Sequence, residues 1–190
     1  APPRRVRGWL DWTALKYHLV TLGCAKNTVD SMRLEQALRT GRHIAVTAPE
    51  DADLLVVNTC GFIDAAKDES VDVVRELDAA RRPDQRLYVV GCMTQIAEAE
   101  VRAAVPRVDA TFGVEAWDEI AASLGPADAE YDIPAAGTVG ALTLGAPSAY
   151  LKISDGCDRP CTFCIIPTIK GGMHSDPTER LIAEARWQDR

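Results

Sequence analysis

Apolar and polar positions along the first two thirds of the chain follow two alternating patterns. Short apolar runs rich in β-branched residues, typical of buried strands, alternate with longer stretches in which apolar residues recur at helical spacing. Asn27 stands where the N-cap of the first helix is expected. The pattern predicts strands at 17–22, 43–47, 53–59, 86–91 and 109–114, and helices at 27–40, 64–80, 95–105 and 115–124.

This alternation predicts the fold class and the domain boundaries. Strands that alternate with helices indicate an open α/β domain whose parallel sheet carries helices on both faces. We assign this domain to residues 15–124, preceded by a tail at 1–14. Residues 125–148 are rich in glycine and proline and predict a linker, after which residues 149–190 begin a second unit.

The second unit is predicted to contain one strand and one helix. The strand is expected at 149–154, and the helix is expected to begin after Asp176 as N-cap, with Pro177 in its first turn. A single strand and a single helix cannot cover their own apolar faces. We therefore expect residues 149–190 to be the first βα unit of a longer domain, here truncated, and the chain alone to be inactive.

Composition and charge narrow the classes of function. Hydrophobic residues make up 47% of the chain, which is enough for a packed core, and no apolar run approaches the roughly 20 residues of a membrane span. The basic start, APPRRVRGWLDW, lacks the apolar block of a signal peptide, so we expect a cytoplasmic protein. The net charge of -7 argues against a fragment that grips nucleic-acid phosphates.

Three of the six cysteines occupy equivalent places in the predicted sheet. Cys24, Cys60 and Cys92 each lie just past a predicted parallel strand, and each has a glycine beside it. The carboxyl ends of parallel strands share one edge, where ligands bind, so these thiols should converge. Buried core cysteines are the alternative explanation, but three matching places favour ligands over packing or disulfides in a reducing compartment.

The other three cysteines lie close together in the stretch GCDRPCTFC. Cys157, Cys161 and Cys164 form a CxxxCxxC spacing, one thiol short of the four ligands of a closed site. His174 could complete a Cys3His zinc site, and CTFC is similar to half of a zinc knuckle. An open fourth position favours instead a metal group whose remaining site takes a substrate.

The stretches around the six cysteines resemble a known family. TLGCAKNTVDS, VVNTCGFIDAAKDES, VVGC and YLKISDGCDRPCTFCIIP are together similar to the radical S-adenosylmethionine methylthiotransferases. GFIDAAKDES and CTFCIIP are closer to the ribosomal-protein branch than to the tRNA branch. The resemblance covers residues 17–190 and corresponds to the N-terminal portion of such enzymes, with the second unit beginning a radical S-adenosylmethionine (β/α) barrel.

The resemblance implies two clusters and a cofactor. Cys24, Cys60 and Cys92 would hold an auxiliary 4Fe-4S cluster that carries or presents sulfur, whereas the CxxxCxxC cysteines would hold the cluster that splits S-adenosylmethionine. Phe163 matches an aromatic position beside the adenine of that cofactor, with plain loop packing as the alternative. The chain departs from the family pattern at three residues: Met32, Lys170 and Asp176.

Three functions are compatible with these features. The first is methylthiolation of an aspartate β-carbon in a small-subunit ribosomal protein, supported by an electron donor such as flavodoxin. The second is the same chemistry on a tRNA adenosine. The third is a non-catalytic iron–sulfur or zinc module.

Overall fold

A computed structural model describes residues 14–124 and 150–188. The first range contains five strands and four helices, and a short 3-10 turn at Pro49–Asp51 precedes the third strand. The strands are β1 (Lys16–Thr21), β2 (Ile44–Ala45), β3 (Leu54–Thr59), β4 (Arg86–Gly91) and β5 (Ala110–Phe112), and the helices are α1 (Ala25–Thr40), α2 (Asp64–Ala80), α3 (Cys92–Ala104) and α4 (Trp117–Leu124).

The five strands form one parallel sheet in the order β2-β1-β3-β4-β5. The chain leaves β1 toward β2 on one side and returns to β3 on the other, so the direction of winding switches between β1 and β3. In open α/β sheets the crevice outside the carboxyl ends of the strands at such a switch point binds ligands. The predicted α/β fold is confirmed.

Helices cover both faces of the sheet. On one face Leu55, Val57 and Val89 pack against α2 and α3 through Val74 and Val101. On the other face the alternate strand residues pack against α1 and α4, as the alternation of side chains along a strand requires. That second core consists of Tyr17, Leu34, Leu38, Leu54, Val56, Tyr88, Val90, Ile120 and Leu124.

Two helices begin earlier than the sequence predicts. Helix α1 begins at Ala25 with Cys24 as N-cap, so the prediction of Asn27 as N-cap is wrong; Asn27 is buried inside the first turn. Helix α3 begins at Cys92 rather than at residue 95, and a non-helical residue, Ala97, interrupts it. The predicted range 95–105 therefore lacks the first three residues of α3, Cys92, Met93 and Thr94.

The second range contains short elements only. They are β6 (Ser154–Asp155), α5 (Ile166–Lys170), β7 (His174–Ser175) and α6 (Thr178–Gln188). The strand predicted at 149–154 is reduced to the two residues of β6, which pair antiparallel with β7 rather than within a parallel sheet. Helix α6 begins at Thr178, one residue later than the predicted first-turn position of Pro177.

Two predicted segments fall outside the structural description. The tail at 1–14, apart from its last residue, and the linker at 125–148 lie outside the described residues. Within the described ranges, no helix combines the length and the apolar character needed to cross a bilayer.

Candidate functional site

Three cysteines lie at the carboxyl edge of the sheet, on three neighbouring strands. Cys24 follows β1 and caps α1, Cys60 follows β3 directly, and Cys92 follows β4 as the first residue of α3. Because β1, β3 and β4 are adjacent, the topology brings these residues to the crevice at the switch point. The three residues lie at the sheet edge that the sequence predicted, and their role as metal ligands stays a prediction.

Two glycines allow the chain segments at this edge to approach closely. A Cβ atom on Gly23 would lie 2.6 Å from Cys60 Cβ and 2.9 Å from Cys60 Sγ. A Cβ atom on Gly61 would lie 2.9 Å from the Cα atom of Met93. Any larger residue would push these segments apart, so the glycines permit the close packing of the cysteine loops.

Two buried asparagines, which sequence reasoning did not select as site residues, tie the loops together. The Asn27 side-chain amide donates to the carbonyls of Leu22 (2.9 Å) and Thr59 (3.0 Å), and its Oδ1 accepts from Cys92 Sγ at 3.5 Å. Asn58 in turn donates to the Asn27 carbonyl at 3.0 Å. An asparagine in an otherwise apolar strand, as in DLLVVNT, is the signal that could have found this network, because asparagine is depleted in strands.

The Cys60 backbone is held by a serine of α2. Its N–H donates to Ser70 Oγ at 3.1 Å, and the same hydroxyl lies 2.7 Å from the Ala66 carbonyl, to which it can donate. Ser70 is fully buried, so it satisfies polar groups that would otherwise be left unpaired at the end of β3.

The three thiols differ in exposure. Cys60 and Cys92 are buried, whereas Cys24 is exposed. Burial raises the pKa of Cys92 to about 11; the positive charge of Lys170 opposes this rise, and the neighbouring Cys60 and Cys24 add to it. Cys92 is therefore protonated at neutral pH, and a metal that binds there must displace the proton.

This edge of the sheet fits an iron–sulfur group in donor type. Three thiols at one crevice supply the soft sulfur ligands that such groups use. Among residues 14–124 and 150–188, however, no set of three or more histidine, cysteine, aspartate or glutamate side chains is arranged to hold one metal ion. The thiols are thus neighbours without forming a finished ligand set.

The CxxxCxxC stretch forms a loop between β6 and α5. Cys157 and Cys164 are half-buried and Cys161 is exposed. The Cys157 N–H donates to the Gly171 carbonyl at 3.1 Å, and the Cys164 N–H donates to the Cys161 carbonyl at 3.1 Å. These backbone bonds fix the ends of the loop and leave its middle open.

Two other residues considered for this loop lie at its exposed side. Phe163 is 92% exposed, so its ring does not serve the loop packing that was the alternative explanation for it. His174 is exposed in β7, with its Nε2 atom 3.6 Å from Glu115 Oε2. Its nearest ionic partner is thus a carboxylate of the α/β domain, which gives no support to a Cys3His site.

A buried set of four charges, here called the ion quartet, joins the loop segment to the α/β domain. It consists of Asp30, Lys152, Asp155 and Lys170, whose side chains are 5% exposed or less. The lysines share both carboxylates. The nitrogen–oxygen distances are 2.9 Å for Lys152–Asp30, 2.6 Å for Lys152–Asp155, 2.7 Å for Lys170–Asp30 and 3.2 Å for Lys170–Asp155.

Each of the three residues that depart from the family pattern has a defined surrounding in the structure. Lys170 is not an exposed surface residue, because it is buried between the carboxylates of Asp30 and Asp155. Asp176 was expected to cap a helix, but its carboxylate binds Arg33 of α1 at 2.8 Å and Arg180 at 3.2 Å. Met32 is buried in α1, so an apolar residue suits that position.

The ion quartet should make the contact between the two ranges insensitive to pH near neutrality. Burial alone would lower the pKa of Lys152 and Lys170 and raise that of Asp155, but the opposite charges outweigh burial, so the lysine pKa values are raised and the Asp155 pKa is lowered. A raised lysine pKa contributes stability below about pH 10.5 that is lost at higher pH, and a lowered aspartate pKa contributes stability above about pH 4 that is lost in acid.

We therefore expect amide-exchange protection factors in 150–188 to stay constant between about pH 5 and pH 9. Protection factors are the suitable measure because they already remove the intrinsic pH dependence of exchange. A loss of protection between pH 5 and pH 7 would contradict the expectation.

Comparison with known proteins agrees with this geometry. Residues 16–113, more than half of the chain, match the family described as "Uncharacterized protein family UPF0004". The chain belongs to this family. The matched range runs from β1 to just past β5, so the UPF0004 region is the α/β domain that carries the first three cysteines.

Relatives of this UPF0004 chain include several named "Ribosomal protein uS12 methylthiotransferase RimO". Those from Chloroflexus aurantiacus, Pelodictyon phaeoclathratiforme and Fervidobacterium nodosum are 43%, 41% and 39% identical over 196, 177 and 177 residues. The alignments cover 90%, 91% and 91% of this chain but 43%, 40% and 41% of the relatives. The chain thus spans less than half the length of the curated relatives it matches, and the predicted resemblance to methylthiotransferases is confirmed.

Proposed function

We propose that this chain is the N-terminal part of a radical S-adenosylmethionine methylthiotransferase that modifies the β-carbon of an aspartate in a small-subunit ribosomal protein. The observation that carries the proposal is a contact between the two cysteine-bearing parts of the chain: Lys26, two residues past Cys24, pairs with Asp155, two residues before Cys157, at 3.2 Å. Relatives named as ribosomal protein uS12 methylthiotransferases support it.

Each triad has its own task in this proposal. Cys24, Cys60 and Cys92 would hold an auxiliary 4Fe-4S cluster, and Cys157, Cys161 and Cys164 would hold a second one. When bound, these clusters would supply the sulfur and the electron that splits S-adenosylmethionine. Three ligands per triad leave one coordination position for a non-protein group.

The surrounding residues supply the environment of the two sites. Cys60 and Cys92 lie buried behind the asparagine network, which keeps water from their side of the crevice. Cys161 and Phe163 are exposed, which leaves the open side of the second site accessible to S-adenosylmethionine, with the Phe163 ring available to lie against the adenine.

The proposal extends to domains and partners. Residues 15–124 would form the methylthiotransferase domain, 125–148 the linker, and 149–190 the start of the radical S-adenosylmethionine barrel. A flavodoxin-like protein would donate electrons. Ribosomal proteins are generally basic, so the net charge of -7 favours them over tRNA as the substrate. A ribosomal substrate would be met in the cytoplasm.

The substrate can be tested directly with the full-length protein that carries this chain. With reductant and S-adenosylmethionine, we expect the mass of a methylthio group to be added to the ribosomal protein and not to tRNA presented in parallel. Replacing Cys157, Cys161 and Cys164 together by alanine should abolish the modification.

Mass spectrometry of both substrates decides among the three candidate functions. A modified tRNA adenosine beside an unmodified ribosomal protein would overturn the substrate assignment. No modification of either substrate by a protein loaded with iron would favour the non-catalytic module.

A further inference from the structure

The ion quartet lies where the two cysteine-bearing parts of the chain meet. Asp30 belongs to α1, the helix capped by Cys24. The other three members belong to the segment 150–188: Lys152 lies just before β6, Asp155 lies two residues before Cys157, and Lys170 ends α5, six residues after Cys164. The side chains of the ion quartet therefore connect α1, the helix that follows Cys24, to the segment that carries the CxxxCxxC cysteines.

The charges of the ion quartet balance. Two lysines face two carboxylates, and both oxygens of Asp30 are used, one for each lysine, at 2.9 and 2.7 Å. Asp155 Oδ2 lies 2.6 Å from Lys152 Nζ and 3.2 Å from Lys170 Nζ, so it too is shared by both lysines. A balanced buried set is stable only while every member is present, because removing one leaves an uncompensated buried charge.

Flanking pairs extend the same contact. Glu115 binds Lys152 at 3.0 Å, and Arg33 of α1 binds Asp176 at 2.8 Å beyond β7. Helix α5 also packs against α3, which begins with Cys92. Lys170 consequently sits close enough to Cys92 for its charge to act on that thiol.

Apolar packing covers only part of this segment. Tyr150, Ile153 and Met173 of the segment are each more than half exposed, and Ile169 is buried. Ionic contacts are directional and distance-dependent, whereas apolar contacts allow sliding, so buried ion pairs can specify a single arrangement at little net gain in stability.

We propose that Lys152 and Lys170 are positioning residues: shared between Asp30 of the α/β domain and Asp155 of the loop segment, they set the CxxxCxxC loop in one register against the sheet edge that carries Cys24, Cys60 and Cys92. The role of this register in catalysis rests on the proposed function. The docking itself is a property of the chain and can be tested without metal.

The first test uses the metal-free chain and two kinds of variant. Lys152→Met with Lys170→Met alters only the loop segment, whereas Asp30→Asn alters only the α/β domain. Both should speed amide exchange in 150–188 at least about tenfold, with exchange in β3 and β4 unchanged. Asp72→Asn, which breaks an exposed pair with Arg75, is the matched control and should leave exchange unchanged.

A conservative variant separates the positive charge from the shape of the side chain. Lys170→Arg keeps the charge and should restore exchange protection to within about threefold of the wild type, whereas Lys170→Met should not. If Asp30→Asn also speeds amide exchange in α1, the lysine double variant is the one that tests the proposal. Unchanged exchange in that double variant would overturn the proposal, as would failure of Lys170→Arg to differ from Lys170→Met.

The second test uses the chain after anaerobic loading with iron and sulfide and reduction with dithionite, which takes each 4Fe-4S cluster from its diamagnetic 2+ state to its paramagnetic 1+ state. Two paramagnetic clusters in fixed register relax each other, so the spin-relaxation enhancement of the wild type should be lost in the lysine double variant at an unchanged iron count. Retention of the enhancement in that variant would overturn the proposal. A wild-type chain that binds no iron would instead refute the proposed function, and the exchange experiment would still decide the positioning role.

Discussion

Replacing Gly91 by alanine is expected to lower the free energy of unfolding by about 3–5 kcal/mol. Gly91 has φ 101° and ψ −152°, a backbone conformation that is essentially restricted to glycine. An added Cβ would also lie 2.8 Å from the Thr59 carbonyl oxygen and overlap Asn58 Oδ1. Both contacts are with buried groups of β3 that have no room to move.

Gly171→Ala provides the matched control for this prediction. Gly171 has φ 70° and ψ −161°, a comparable backbone conformation, but nothing lies within 4 Å of an added Cβ. We expect a loss of no more than about 1–3 kcal/mol, the backbone cost alone. Urea unfolding followed by circular dichroism measures the free energy of unfolding of both variants. Equal losses in the two variants would show that a Cβ atom at position 91 does not clash with Asn58.

The two cysteine triads are expected to load iron independently. Two 4Fe-4S clusters amount to about eight irons per chain, so replacing either triad by alanine should leave about four. Removal of Cys157, Cys161 and Cys164 should also abolish the change that S-adenosylmethionine causes in the electron paramagnetic resonance spectrum. Removal of Cys24, Cys60 and Cys92 should leave that change in place.

Anaerobic reconstitution, iron analysis and electron paramagnetic resonance measure these outcomes. Alanine at Ser123, an exposed-side residue of α4 far from both triads in sequence, serves as a control and should leave the iron count unchanged. Loss of the cofactor response in the variant without Cys24, Cys60 and Cys92 would reverse the assignment of roles. A wild-type chain with about four irons would mean that one triad is not a cluster site.

The sequence alone predicted the parallel sheet and the place of the first triad. Leu54 to Thr59 are all buried, and such a strand is expected to be largely apolar, which the sequence displays from Leu54 to Val57. Once the strands are known to be parallel, their carboxyl ends share an edge, so Cys24, Cys60 and Cys92 converge without any knowledge of side-chain packing.

The helix caps predicted from the sequence were wrong where tertiary contacts take the side chain that would form the cap. Asn27 has the chemistry of an N-cap, but it is buried among the carbonyls of Leu22 and Thr59, and Cys24 takes the cap position instead. Asp176 also has the chemistry of a cap, but Arg33, distant in sequence, takes its carboxylate. A local pattern cannot show such partners, because they come from elsewhere in the chain.

Only the tertiary structure decided how the two triads are related. Asp30 lies 122 residues from Lys152 and 140 from Lys170 along the chain, and single charged residues carry no sign of their partners. Their burial follows from the docking of the CxxxCxxC segment on α1 and α3, an arrangement that apolar periodicity does not encode. The sequence predicted which residues are candidate metal ligands, whereas long-range charge pairing in a buried environment determined how the segment that carries the second set docks on the α/β domain.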